Sequence, residues 1–318
     1  MSRLASALKS RLRGWRRRLR PVPPHPAWLQ VEINNTCNLR CVMCPREALN
    51  RPARLMTVDE FRDIASKAAA AGVPKLRLFL LGEPLLHPDL IPMIRLARGI
   101  GIPEVTLNTN AALLTPDLSE ALLRSGLTGI VFSLDGATAA TYEAIRRGAR
   151  YDEVTANVER ICRLAKEGQE PRPRLVVQTM VMADTQDEIA PFLARWEPLA
   201  DEVDVQVVRE YQGVGGVTPV PRRLPGDELR PCPALWEYLV ILADGTVTPC
   251  CVDINGEMNL GSIADIPDLG EFWRTFPALT DLRRRHCLLG FRNLPLCADC
   301  DFINVSLTHR KASAAARR

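Results

Sequence analysis

The sequence predicts an α/β protein, a parallel sheet layered with helices and followed by a small cysteine-rich C-terminal extension. Three observations carry that prediction. Strand-length apolar runs and helical stretches alternate strictly through six units, the pattern of a parallel sheet with crossover helices. Polar motifs fall where the apolar runs end, which is where such sheets place their sites. Beyond a Gly-, Pro- and Arg-rich stretch at 212–231, the chain turns to cysteines and a hairpin signal. At 318 residues, 47 % of them hydrophobic, the chain can bury a core and carry an appendage. No apolar run approaches a membrane span in length.

The elements follow in order. Pro21-Val-Pro-Pro-His-Pro26 is a rigid spacer. Trp28 to Ile33 reads as the first strand, and Cys37-Asn-Leu-Arg-Cys41-Val-Met-Cys44 follows it directly. Thr57 and Glu60 form a capping box, opening a helix with Phe61, Ile64 and Ala68 on one face and Gly72 at its end. Leu76 to Leu81 is a second strand-length run, ending in Gly82-Glu83-Pro84. His87 beyond it reads as a packing residue. A helix around Leu90–Arg98 leads to a strand at Val105–Leu107 and the polar end Asn108-Thr109-Asn110. Pro116–Ser125 is helical, and Gly129–Leu134 is a strand closing on Ser133 and Asp135-Gly136, the last pair ordinary turn chemistry. Helices around Ala139–Arg146 and Asp152–Lys166, a strand at Leu175–Met182, a helix at Gln186–Trp196 and a strand at Val203–Val208 complete the six units. Arg209, Glu210 and Tyr211 end the last strand, at the site or on the surface. Cys162 lies on an apolar helix face with Val158 and Ile161 and reads as a core thiol.

Cysteine usage carries the chemistry. Ten cysteines in C-x3-C-x2-C and C-x2-C groups suit metal binding in a reducing compartment better than disulfides. Three thiolates from one tight loop can hold three irons of a [4Fe–4S] cluster and leave the fourth open to a small molecule. Clusters that only carry electrons are usually held by four cysteines. A structural zinc site is the competing reading, with its fourth ligand drawn from far away. Downstream come Cys232, Cys250, Cys251, Cys287, Cys297 and Cys300. Tyr238–Leu242 and Thr246–Thr248 read as a hairpin across Asp244-Gly245, which brings Cys232 and Cys250 together. With Cys297 and Cys300 they make four thiolates for a closed cluster, or for zinc. Cys287 receives no role.

Charge is uneven. Eight of the 41 basic residues lie within residues 1–20, which hold no acid, so the rest of the chain sets 33 basic residues against 37 acids. Leu4, Leu8, Leu12, Trp15 and Leu19 recur there at helical spacing, as in an amphipathic helix lying on anionic lipid or docked on the protein. Arginines interrupt any signal-peptide core. Sparse aromatics in the basic ends argue against nucleic acid. The expected location is cytoplasmic, with peripheral membrane contact through residues 1–20.

The C-x3-C-x2-C loop after one strand and Gly82-Glu83-Pro84 after the next resemble the radical S-adenosylmethionine (SAM) superfamily. The resemblance implies a partial (β/α)6 barrel over about residues 28–211. It implies a [4Fe–4S] cluster on Cys37, Cys41 and Cys44 whose open iron chelates SAM, and a 5′-deoxyadenosyl radical that takes hydrogen from substrate. An external electron donor of flavodoxin or ferredoxin type is implied with it. Carried over by position, Gly82 and Glu83 receive the SAM amino group, Ser133 is a polar contact, and Arg146 reaches for the SAM carboxylate. Met43 stands where relatives place an aromatic residue against the adenine. Ala111 stands after Asn110 where relatives often have Gly. Residues 232–302 resemble the SPASM/twitch extension. With no cysteine after Cys300, the single-cluster version is implied: one auxiliary [4Fe–4S] cluster on Cys232, Cys250, Cys297 and Cys300. The expected organisation is a basic segment and spacer at 1–27, the core at 28–211, a linker at 212–231, the extension at 232–302 and a basic tail at 303–318.

The function expected from this resemblance is hydrogen abstraction from a small polar substrate, a sugar or aminocyclitol, by a dehydrogenase or epimerase. A peptide-modifying maturase is the alternative, although some thirty residues before the first strand are short for a leader-binding domain. A non-catalytic iron–sulfur or zinc scaffold binding membrane or nucleic acid is the rival of another class. Cys251, next to a ligand on a strand, is expected to point away from Cys250. It is either a packed thiol or the hydrogen donor of an epimerase.

Overall fold

Alternation along the first strand sets the architecture. In β1 (Trp28–Val31), Leu29 and Val31 are fully buried in the main core, while Trp28 and Gln30 take the opposite face, as the two-residue period of a strand requires. The structure, a computed structural model, describes residues 21–168, 171–207, 231–288, 290–298 and 300. The expected N-terminal amphipathic helix with its membrane contact, most of the 212–231 linker, Arg209, Glu210, Tyr211 and the basic tail lie outside the described residues.

Parallel pairing joins β1 to β3 (Lys75–Arg77), β4 (Glu104–Thr109), β5 (Gly129–Ser133), β7 (Arg174–Val181) and β8 (Glu202–Val207) in that order. Helices α1 (Val58–Ala70), α2 (Leu90–Ile100), α3 (Pro116–Leu123), α4 (Ala139–Ile145), α5 (Tyr151–Glu167) and α6 (Ile189–Trp196) intervene. The result is the α/β fold expected, a partial barrel whose outer face meets the helices. Phe61, Ile64 and Ala68 of α1 are fully buried, each large one worth about 1.5–3 kcal/mol. The Thr57–Glu60 capping box forms as the sequence suggests. Cys162 is buried on α5 among Val158 and Ile161.

Two features depart from the expected layout. The run Leu76–Leu81 is strand only at Lys75–Arg77, and the next four residues climb as irregular chain to Gly82. The C-terminal extension is not a separate appendage. Its hairpin, β9 (Tyr238–Ile241) and β10 (Val247–Thr248), forms across Asp244-Gly245 as expected. It then adds to the main sheet, because β9 pairs in parallel with β1 along Trp28–Val31. The order is β10-β9-β1-β3-β4-β5-β7-β8. Helices α7 (Leu269–Thr275) and α8 (Pro277–Cys287) pack back on the core through Leu269, Trp273 and Leu279. Cys287 packs there too.

Candidate functional site

A two-stranded ribbon fixes the cysteine loop. β2 (Arg40–Cys41) pairs antiparallel with β6 (Arg146–Arg147), setting Cys41 opposite Arg146. The Cys44 amide closes a turn on the Cys41 carbonyl at 3.0 Å. All three thiols are half-buried. Two donors are aimed at them: Arg146 Nη1 lies 3.9 Å from Cys41 Sγ, and Asn110 Nδ2 lies 3.8 Å from Cys37 Sγ. Burial pushes the Cys41 thiol up, opposed by the Arg146 charge, and pushes Cys44 up to about 11. Burial thus favours the protonated thiol at Cys41 and Cys44, and a coordinated metal reverses that by deprotonating its thiol ligands.

Arg146 was expected at the SAM carboxylate. The structure commits most of its guanidinium elsewhere, because Asp135 Oδ2 takes Nε at 2.9 Å and Nη2 at 2.7 Å in a buried ion pair. Asp135 Oδ1 also accepts the Met180 amide at 2.7 Å. Asp135, read from sequence as turn chemistry, therefore anchors the ribbon that carries Cys41. Its neighbour Ser133 ends β5 on the inner face, half-buried, paired in register with Gln178.

Gly82 and Glu83 lock onto the same loop. A Cβ on Gly82 would lie 2.1 Å from the Asn34 carbonyl oxygen, so only glycine lets the two chains pass. Asn34 Nδ2 donates to the Glu83 carbonyl at 3.0 Å, and the Glu83 amide donates to Thr36 O at 2.8 Å. The Glu83 carboxyl is almost fully buried. Its Oε1 accepts the Thr109 hydroxyl at 2.6 Å and the Leu85 amide at 3.1 Å, and Oε2 accepts the Asn110 amide at 2.8 Å. Burial raises its pKa, and the bonds from Asn110, Thr109 and Leu85 together with Arg146 oppose the rise. Three of about four acceptor positions are taken, leaving one. This clamp holds the end of β4 so that Asn110 can reach Cys37, and its one strained residue is Ala111, at φ +58°. Met43 sits over a small apolar cluster of Ile145, Met180 and Met182.

The later cysteines gather beside β9. Cys232, Cys251, Cys297 and Cys300 pack with Tyr238, Val240 and Phe291. Cys250 lies against Cys251, whose contact raises its pKa ahead of burial itself. Burial, then Cys300, Cys297 and Cys251, pushes Cys232 up to about 12. Cys251 does not point away from Cys250 as expected. β10 ends at Thr248, and both cysteines fall in the turn beyond it, where strand alternation no longer applies. The Tyr238 hydroxyl donates to Cys251 Sγ at 3.2 Å. Asp253, buried, gathers the Thr248 hydroxyl and the Glu257 and Met258 amides into the loop that shapes this turn. Among the described residues, no three His, Cys, Asp or Glu converge as the shell of a single ion requires. Cubane ligands sit on separate irons and are not bound to that spacing.

The two loops are tied together. Arg51, seven residues after Cys44, donates Nη2 to both Glu32 oxygens at 3.0 and 2.7 Å and Nε to Ile254 O at 2.7 Å. Glu32 also accepts the Ala243 amide at 3.0 Å. Asn255 bonds Asn50 N and Ala48 O, both at 3.0 Å. Nothing in the sequence pattern marks this latch, because its cross-loop partners, such as Arg51 with Ile254 and Glu32 with Ala243, lie about two hundred positions apart.

Residues 31–194 match the family model described as the radical SAM superfamily, and residues 232–301 match that of the SPASM iron–sulfur cluster-binding domain. Among curated proteins, the GTP 3′,8-cyclase of Chlorobaculum tepidum is 33 % identical over 135 residues, 42 % of this chain and 40 % of that one. The enzyme of the same name from Listeria welshimeri is 31 % identical over 223 residues, 66 % and 63 % of the two chains. The chain thus spans about 40–63 % of the length of these relatives. Among solved structures, Streptococcus suis SuiB bound to precursor peptide SuiA aligns with TM-score 0.68 at 17 % identity, over 89 % of this chain and 71 % of that one. BtrN in complex with AdoMet and 2-DOIA aligns with TM-score 0.60 at 16 % identity, over 86 % and 92 %. At such identities these two likenesses are of fold. No helix among the described residues is long and apolar enough to cross a membrane.

Proposed function

The chain belongs to the radical SAM superfamily and carries a SPASM iron–sulfur domain behind its core, and on that premise we propose which residues hold its cofactors and what it acts on. As a radical SAM enzyme it uses SAM, the [4Fe–4S] cluster that binds SAM, and an auxiliary iron–sulfur cluster. We assign the first cluster to Cys37, Cys41 and Cys44, and the auxiliary one to Cys232, Cys250, Cys297 and Cys300. The first donor set fits: three half-buried thiols on one loop, with the Arg146 and Asn110 N–H groups aimed at two of the sulfurs. Such hydrogen bonds tune a cluster's potential. For the second, Cys232, Cys297 and Cys300 share one largely apolar group with Cys251, and Cys250 lies against Cys251 and within reach of Cys232.

When bound, these groups supply a 5′-deoxyadenosyl radical, which takes a hydrogen atom from a substrate C–H bond. This chain's residues hold and orient. Glu83 keeps one acceptor position for the SAM ammonium while its other bonds fix Asn110. Met43, with Met180 and Met182 beside it, offers an apolar, polarisable shelf for the adenine. Gly82 and Ser133 line the same end of the sheet. The Asp135–Arg146 pair keeps Cys41 in place and leaves Nη1 facing its sulfur.

The proposed substrate is a small polar molecule, a sugar or aminocyclitol, that is dehydrogenated or epimerised. The observation that carries this is the inner face of the sheet. Gln178 and Gln206 both donate to Asp204, at 2.8 and 2.6 Å, an amide and carboxylate lining suited to hydroxyl and amino groups. An external donor of flavodoxin or ferredoxin type would supply the electron that the SAM-binding cluster needs. The test is substrate-dependent 5′-deoxyadenosine formation under anaerobic reduction, with aminocyclitols, sugars, GTP and a peptide as the panel. Stimulation by GTP or peptide alone overturns the substrate class.

A further inference from the structure

Arg77 is a half-buried cation on the inner face of the barrel. Its strand neighbour Leu76 is buried against the helices, so Arg77 takes the inner face, in register with Gln30 on β1 and Thr106 on β4. The guanidinium lies 5.3 Å from the Trp28 ring centroid and 5.5 Å from that of Phe79. Trp28 is in turn stacked on Tyr238 at 4.9 Å. Arg77 Nε and Trp28 Nε1 are both buried with no hydrogen-bond partner, and Arg77 enters no ion pair among the described residues. Of the titratable groups that act on it, Tyr238, Cys251 and Asp204, the carboxylate is Asp204. Asp204 stands on β8 at the far end of the parallel strands, and its Oδ2 is already taken by two glutamines. Cys251 belongs to the auxiliary cysteine turn. The guanidinium therefore lies on the inner face, linked through Trp28 and Tyr238 to the auxiliary cysteine turn.

A guanidinium whose Nε is buried without a hydrogen-bond partner is costly to the fold, since nearly all buried polar groups find partners. Aromatic faces lessen that cost only in part. An Arg fork is the side chain best shaped to bind a planar or tetrahedral oxyanion. We propose that Arg77, flanked by Trp28 and Phe79, is the substrate's anion anchor, binding a carboxylate or phosphate group. The inference rests on the substrate-in-lumen reading above and narrows it to an anionic substrate. It makes Arg77 a specificity determinant, outside the SAM site.

Thermal melting of the anaerobically reconstituted full chain with SAM tests this, with inorganic phosphate or acetate titrated at constant ionic strength. Wild type is expected to show a saturable rise in melting temperature with at least one probe, as a ligand of the native state must produce. Phosphate alone indicates a phosphorylated substrate, and acetate alone a carboxylate. Arg77→Met and Arg77→Gln should lose at least tenfold in apparent affinity while melting no lower than wild type without the probe, since each removes an uncompensated charge. Equal responses in variant and wild type, no saturable response in wild type, or variants melting several degrees lower would overturn the assignment, the last showing that the guanidinium serves the fold. Uncoupled 5′-deoxyadenosine formation, measured on the same samples, should survive in both variants. Its absence from wild type would count against the functional reading and leave the anion result standing.

Discussion

Replacing Arg51 with Met breaks the tie between the two cysteine loops. The Glu32 side chain is fully buried and that of Arg51 is 8 % exposed, so the substitution strands a carboxylate whose remaining donor is the Ala243 amide. Removing one partner of a buried ion pair costs about 3–5 kcal/mol, equivalent to about a hundredfold to a few thousandfold in a local opening equilibrium. Burial raises the Glu32 pKa, and Arg51 is the largest influence opposing it. Without Arg51 it rises further. A glutamate with a raised folded-state pKa stabilises the fold below the unfolded value, and that stability is lost as pH rises through the folded pKa. The penalty in Arg51→Met is therefore full at pH 8 and shrinks as pH falls toward the raised Glu32 value. Hydrogen exchange by mass spectrometry reads this directly in peptides covering residues 241–255 and 48–56. Both should exchange faster by the factor above, and Glu32→Gln in the Arg51→Met background should recover most of the protection. Exchange within about threefold of wild type, or a penalty independent of pH, would refute the argument.

Other outcomes follow from the same contacts. Glu83→Gln should weaken SAM binding about ten- to a hundredfold, through loss of one charge-assisted bond worth about 1.5–3 kcal/mol, while cluster assembly continues. Equilibrium binding with labelled SAM measures it. Ala111→Gly should relieve the left-handed backbone at φ +58° and leave stability unchanged or up to about 1 kcal/mol higher, read by melting temperature. Cys251→Ala should keep forming 5′-deoxyadenosine. A dehydrogenase keeps its product as well, whereas an epimerase that uses this thiol loses the inverted product and, in wild type, places one solvent deuterium on the inverted carbon in D2O.

The layers were legible because they depend on local signals. Period-two and helical patterning, the Thr57–Glu60 box and the Asp244-Gly245 turn each act within a few residues. Leu76–Leu81 was overread as strand, since apolar runs do not reveal where pairing stops. The merging of β9 onto β1, the Asp135–Arg146 pair and the Glu32–Arg51 latch all rest on non-local contacts, and composition carries no trace of them. Arg146 illustrates this: its contacts with Asp135 and Cys41 depend on the β2–β6 pairing. Cys251 failed for a related reason: the alternation rule is sound, but the strand stops at Thr248, three residues short.

The central claim is that two separate cysteine sets hold two clusters, only the first of which supports SAM cleavage. Iron and sulfide counting on anaerobically reconstituted protein, paired with 5′-deoxyadenosine formation from SAM, tests it most directly. Two [4Fe–4S] clusters are expected in wild type. Replacing Cys37, Cys41 and Cys44 together with Ala should leave one cluster and no 5′-deoxyadenosine. Saturation of wild type at one cluster with tightly bound zinc, or SAM cleavage surviving in the triple variant, would contradict the account.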